Sequence, residues 1–129
     1  MRHIKSELET KPFILMAFNT DLTDESTLIK SIGLTDYIEL EGCWDSKIER
    51  SYAVFFNDLT QKMSLIDLAL KHNQDSIIAV DSDRRCTLYD LNQVNQHHIG
   101  SLVCVPKEEA LLSQGYSKVL KTDRYFIVK

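Results

Sequence analysis

The chain predicts an α+β fold: a ferredoxin-like β-α-β-β-α-β core with additional C-terminal strands and a short helix. Three features of the pattern predict it. Short apolar runs bounded by turn residues alternate with two helical stripes over the first 80 residues, in the order strand, helix, two strands, helix, strand. Two helices at those positions cover one face of a mixed sheet. No internal repeat and no Pro/Gly-rich linker divides the 129 residues, so residues 1–129 read as one domain.

Residues 1–11 are polar and mixed in charge, and read as an arm. Phe13 to Phe18 is a continuous apolar run, the mark of a buried strand, and it ends in the polar Asn19-Thr20-Asp21. Asp24-Glu25-Ser26 supplies a cap and negative charge ahead of Leu28, Ile29 and Ile32, whose spacing is helical, with Gly33 as the stop. From Tyr37 to Cys43, Ile38 and Leu40 alternate with Glu39 and Glu41. After the turn formers 42–47, Glu49 to Phe56 forms the partner of a hairpin. Positions 49, 51, 53 and 55 share one face of that strand.

Asn57-Asp58 marks a turn. Met63, Ile66, Ala69 and Leu70, widened by Leu65 and Leu68, predict the second helix. Ser76 to Val80 reads as a buried strand, Asp81 to Arg84 as a turn, and Cys86 to Leu91 as a partner strand. Asn92 to His98 reads as a polar loop, and Leu102–Val105 and Tyr125–Val128 as further strands. Pro106 opens a short helix. This plan leaves one apolar sheet face uncovered, and self-association is the simplest cover.

Composition narrows the function classes. The net charge of −4 argues against a basic nucleic-acid binder. No apolar run approaches the ~20 residues that span a membrane, and the N-terminus carries no secretory h-region, so a cytoplasmic setting is the expectation. Cys43, Cys86 and Cys104 are odd in number and lack CxxC spacing, which disfavours a disulfide framework or zinc ribbon. His97-His98 has no partner at ligand spacing, so no metal site is expected. Asp81-Ser82-Asp83 reads as a turn rather than a metal–nucleotide motif. No P-loop, GxGxxG or GxSxG is present.

Two residues stand apart. Glu49 opens a strand whose same-face neighbours are small or apolar; it is either a solvated strand end or a placed charge. Trp44, the single tryptophan, precedes it in the turn, where it either caps the core or walls a pocket. An aromatic wall beside a carboxylate suits a cation carrying a flat ring.

In order and spacing the chain from Phe13 onward resembles the bacteriophage S-adenosylmethionine lyases, formerly described as S-adenosylmethionine hydrolases. The resemblance rests on Phe13–Phe18 with the loop to Glu25, on Leu40-Glu41-Gly42-Cys43-Trp44, and on Glu49-Arg50-Ser51. Leu65 to Ala69 with Gln74-Asp75, Ile99-Gly100 to Pro106, Gly115 and Arg124 to Val128 continue it. Trp44 stands where the family usually has tyrosine, and the turn before Glu49 is short for the family.

The resemblance implies a homotrimer similar to the PII signalling proteins, with sites at subunit interfaces and S-adenosylmethionine as substrate. It implies cleavage to methylthioadenosine and L-homoserine lactone by the substrate's own carboxylate, without cofactor or metal. Glu49 is then the catalytic residue. Phe18, Asn19, Thr20, Trp44, Ser51 and Gln74 are the substrate-binding residues, with Trp44 and Phe18 against the adenine or methionine chain and main-chain N–H groups near Asn19-Thr20 at the carboxylate. The implied role is phage anti-restriction in the cytoplasm of the infected host bacterium. Two other readings compete: a non-catalytic PII-like trimer binding an adenine nucleotide, and an interaction protein that blocks a restriction enzyme. Few Lys, Arg and Gly near the candidate pocket disfavour a triphosphate, and acidic residues scattered among 15 basic ones disfavour a single acidic binding face.

Overall fold

The structure, a computed structural model, describes residues 4–16, 36–44, 47–71, 76–91, 95–120, 122 and 124–129. In chain order its elements are α1 (Ile4–Thr10), β1 (Phe13–Met16), β2 (Tyr37–Trp44), β3 (Lys47–Phe55), α2 (Leu59–Lys71) and β4 (Ser76–Val80). These are followed by β5 (Arg85–Asp90), β6 (Asn95–Val105), α3 (Lys107–Leu112), β7 (Gly115–Val119) and β8 (Tyr125–Val128). The expected helix over 24–33 lies outside the described residues.

The ferredoxin-like core is not what forms. The strands close into an antiparallel barrel in the order β1-β3-β2-β7-β8-β6-β5-β4, with β4 returning to β1. The strands before β5 lie in the order β4-β1-β3-β2; the C-terminal half overturns the open-sheet plan. β5 pairs with β4, β6 with β5, β8 with β6, and β7 bridges β8 to β2. β7 was not expected at all, and β6 begins at Asn95, inside the stretch read as a loop. Closure also removes the bare sheet face. One face becomes the inner wall, packed on itself, and no second subunit is needed to cover it.

The inner wall is filled by Phe13, Ile38, Leu40, Ala53, Phe55, Val80, Cys86, Val119 and Phe126. The outer face of β1, β3 and β4 carries Ile14, Met16, Tyr52, Val54, Ile77 and Ala79 beneath α2. The helix meets them with Leu65, Ile66, Leu68 and Ala69, while Met63 and Leu70, expected on the buried stripe, are exposed. A reciprocal cap starts α2: Asp58 Oδ1 accepts the Gln61 N–H at 2.8 Å, and Gln61 Oε1 accepts the Asn57 N–H at 2.7 Å. On the opposite side, α3 covers Val105, Tyr125 and Ile127 through Ala110.

The first eleven residues, read from the sequence as an arm, contain α1, and Leu8 of α1 is 1% exposed in the inner core. Arg84 ties this helix down. Its Nη1 donates to the Leu8 carbonyl at 2.5 Å and its Nη2 to the Lys11 carbonyl at 2.6 Å, while the guanidinium sits 5.9 Å from the Phe13 ring centre. These are the carbonyls a helix C-terminus leaves unpaired, where a cation is favoured. Burial lowers the Arg84 pKa, an effect opposed by Asp81.

The β4–β5 turn that presents Arg84 is an Asx turn. Asp81 Oδ1 accepts the N–H groups of Asp83 and Arg85, each at 2.9 Å. Just after this turn, at the start of β5, the register with β6 shifts between Cys86 and Thr87, with Gly100 opposite Cys86. Gly100 has φ 137°, and a Cβ there would stand 2.8 Å from the Lys129 carbonyl oxygen. Only glycine fits this bulge without displacing the chain end that Ser101 pairs with.

Candidate functional site

The β2–β3 hairpin carries the residues singled out in the sequence. Its register sets Leu40 opposite Ser51, Gly42 opposite Glu49, Cys43 opposite Ile48 and Trp44 opposite Lys47. Glu49 is therefore the third residue of β3 rather than its opening one, and Trp44 ends β2 instead of sitting in the turn. Phe18, Asn19, Thr20 and Gln74 lie outside the described residues. So of the seven expected site residues, the described part brings together Trp44, Glu49 and Ser51 on one hairpin.

Ser51 is the informative member. Its partner Leu40 and its strand neighbour Ala53 both belong to the inner core, and cross-strand partners share a face. Ser51 therefore faces the barrel interior. It is 5% exposed, and its Oγ is buried without a hydrogen-bond partner among the described residues. A buried hydroxyl left unpaired costs about 1–3 kcal/mol. Such a cost is tolerated where the group serves a ligand.

The wall beside Ser51 has little bulk. Gly42 follows two residues after Leu40 on β2, and Ser117 of β7 is the partner of Gly42 on its other side. Ser117 is also opposite Phe126, an inner-core residue, so it too faces inward. Small residues at 42, 51 and 117 contrast with the other end of the barrel, where Leu8, Phe13, Phe55, Val80 and Cys86 pack together. The barrel is plugged by α1 at one end, and small residues at 42, 51 and 117 stand on the inner wall toward the other.

Ser117 was invisible to the sequence reading because β7 itself was missed. The signal was present: Tyr116 and Val119 are strand formers, and Gly115–Val119 follows the short helix after a two-residue turn.

The outer face of the same strands holds a polar cluster. Tyr116 lies opposite Cys43 and packs edge-on against Tyr125, ring centres 5.5 Å apart. The Tyr116 phenol is pushed up, by burial first, then by its hydrogen bond to Cys43 and by the charges of Cys43, Glu41 and Tyr125. Being on the outer face, these groups are separated from Ser51 by the sheet. His97 and His98, which lie on adjacent positions of β6, are exposed and pair with Leu88 and Thr87. Among the described residues, no group of three His, Cys, Asp or Glu side chains is placed to hold a metal ion. No helix there is long and apolar enough to cross a membrane.

In comparison with protein families, the model of the S-Adenosylmethionine lyase family matches residues 17–129, a span that takes in every site residue named above. No curated protein matches the chain.

Proposed function

The chain belongs to the S-adenosylmethionine lyase family, and from that premise we propose that it cleaves S-adenosylmethionine to methylthioadenosine and L-homoserine lactone. The observation that carries the reading is the family match over residues 17–129, which includes the hairpin bearing Glu49 and Ser51.

In the proposed step the substrate's carboxylate oxygen attacks its own γ-carbon. A carbon–oxygen bond forms, the carbon–sulfur bond breaks, and the bonding pair returns to sulfur, which leaves as a neutral thioether. No proton has to move. Nucleophile, electrophile and leaving group reside in one molecule, so the protein's task is orientation: holding the chain folded with oxygen and sulfur in line about the γ-carbon.

Within this reading Glu49 orients the substrate through its ammonium or ribose hydroxyls. A carboxylate 4 Å from a positive charge attracts it by up to ~4 kcal/mol at an effective dielectric of about 20. Positive charge on sulfur falls as the bond breaks, so attraction aimed at the sulfonium alone would tighten ground-state binding without speeding the step. Trp44 supplies an apolar wall for the adenine or methionine chain. Phe18, Asn19, Thr20 and Gln74 join the site from the segments after β1 and α2. The assembly we propose is a homotrimer in which neighbouring subunits complete each site. The proposed setting is the cytoplasm of an infected host bacterium, where loss of S-adenosylmethionine starves restriction and methylation enzymes that use it.

The test is product analysis. Purified protein incubated with S-adenosylmethionine should yield methylthioadenosine and homoserine lactone by chromatography and mass spectrometry, and Glu49→Gln should lose most of that turnover while remaining folded. Unchanged substrate with wild-type protein overturns the reading. Full turnover in Glu49→Gln removes Glu49 from it.

A further inference from the structure

We propose that Ser117, together with Ser51, holds the α-amino-acid end of the substrate at the end of the barrel away from α1. This rests on the S-adenosylmethionine reading above and adds a positioning residue from a strand outside the hairpin.

Ser51 Oγ is buried in the inner wall with no partner among the described residues, and a polar group of a ligand would answer it. The nearest strands decide what kind of group fits. On β2, Leu40 stands beside Ser51, and the next inward position is Gly42. On β7, Ser117 flanks Gly42 and faces the same interior as Phe126. The two hydroxyls therefore look across a strip of β2 that offers a glycine in place of a side chain.

The spacing suits one chemical group. Adjacent strands lie about 4.8 Å apart and a strand rises about 3.4 Å per residue. Two strands and a two-residue offset put the Ser51 and Ser117 backbones roughly 12 Å apart, and inward side chains on a curved wall converge from there. An ammonium and a carboxylate on one carbon, each hydrogen-bonded at about 2.8 Å, fill such a gap. A hydroxyl can donate to the carboxylate or accept from the ammonium. As a neutral donor it fixes a carboxylate in place without pairing it to a full positive charge, which leaves the oxygen free to act as a nucleophile. The flanking Leu40, Val119 and Phe126 are apolar. Their low-dielectric surroundings strengthen each hydrogen bond made there.

Two thioethers that differ at this end alone give the test. S-adenosylhomocysteine keeps the amino-acid end, and methylthioadenosine has a methyl group in its place; neither is a sulfonium, so neither is cleaved. Their binding is measured by calorimetry for wild type, Ser117→Ala and Ser117→Thr, with circular dichroism verifying the fold. Kinetics with S-adenosylmethionine accompany the titrations. Ser117→Ala should weaken S-adenosylhomocysteine about 10-fold or more, as expected for a hydrogen bond to a charged group, and leave methylthioadenosine within about twofold. Ser117→Thr, which keeps the hydroxyl, should recover most of the loss. Equal weakening of both ligands, or no weakening of S-adenosylhomocysteine while wild-type turnover is intact, overturns the role of Ser117 and leaves the lyase reading standing. Absence of turnover and of binding in the wild type overturns both.

Discussion

Arg84 donates to the carbonyl of Leu8 across 76 positions of sequence, and by this bond the β4–β5 turn holds the helix that plugs the barrel. With its second bond, to the Lys11 carbonyl, the guanidinium satisfies two groups at the end of α1. Hydrogen bonds to a charged donor are worth about 1.5–3 kcal/mol, so Arg84→Ala should lower unfolding free energy by about that much in urea titration. Arg84 also has φ 67°, a conformation that disfavours side chains. Arg84→Gly relieves that strain and should be less destabilised than Arg84→Ala, by about 1 kcal/mol. Equal losses in the two variants would show that the strain contributes nothing.

Ser51→Ala should separate stability from function. Removing a buried, unpaired hydroxyl ends its desolvation cost, so the variant should be as stable as wild type or more stable by up to about 1 kcal/mol. Its affinity for S-adenosylhomocysteine should nevertheless drop. A loss of stability above about 1 kcal/mol would mean the hydroxyl serves the fold.

Gly100→Ala tests the bulge. The new methyl would press on the Lys129 carbonyl oxygen, and φ 137° is a conformation that L-residues rarely adopt. A loss of at least about 2 kcal/mol is expected, with faster hydrogen exchange at the Ser101 and Lys129 amides that pair there. An alanine variant with wild-type stability would contradict the geometry.

The Cys86 thiol, fully buried beneath Leu8, is pushed up from 9.0 to about 11, by burial chiefly, with Asp81 adding and Arg84 opposing. The folded protein thus holds this proton more tightly than the unfolded chain. The resulting stabilisation is complete below about pH 9 and is lost as pH rises through about 11. The stability gap between wild type and Cys86→Ala should narrow over that window in urea titrations. A gap constant from pH 8 to 11.5 would sink the assignment. At pH 8, an aromatic disulfide reagent should modify exposed Cys104 well before Cys86.

Legibility in the sequence follows the range of the interaction. The β2–β3 hairpin was readable because Ile38 and Leu40 alternate with glutamates and the partner strand follows after a short turn; its observed pairing of Leu40 with Ser51 is local. The turn at Asp81 was readable for the same reason, its side chain bonding amides two and four residues on. β7 was missed because the local signal from Tyr116 and Val119 is short, and the partners that fix the strand, Cys43 and Leu40, lie far earlier in the chain. The arm was misread because its polar residues outnumber Met1, Ile4 and Leu8, although those three stand at helical spacing. Met63 and Leu70 were placed on the buried face because they fit a helical stripe, but the barrel's curvature leaves them outside the contact.

By itself the sequence determined β1 to β5, α2, α3, β8 and the second half of β6 through short-range patterning, and it carried the family resemblance on which the Glu49 assignment rests. Only the tertiary structure decided that the sheet closes, because closure depends on β7 joining β8 to β2 and on β4 meeting β1. Those pairings are backbone hydrogen bonds between distant segments, and backbone groups are the same at every residue. No local pattern specifies which edge meets which. Ser117 entered the candidate site by that closure, and the same closure faced the Ser51 hydroxyl into a wall where no described residue answers it.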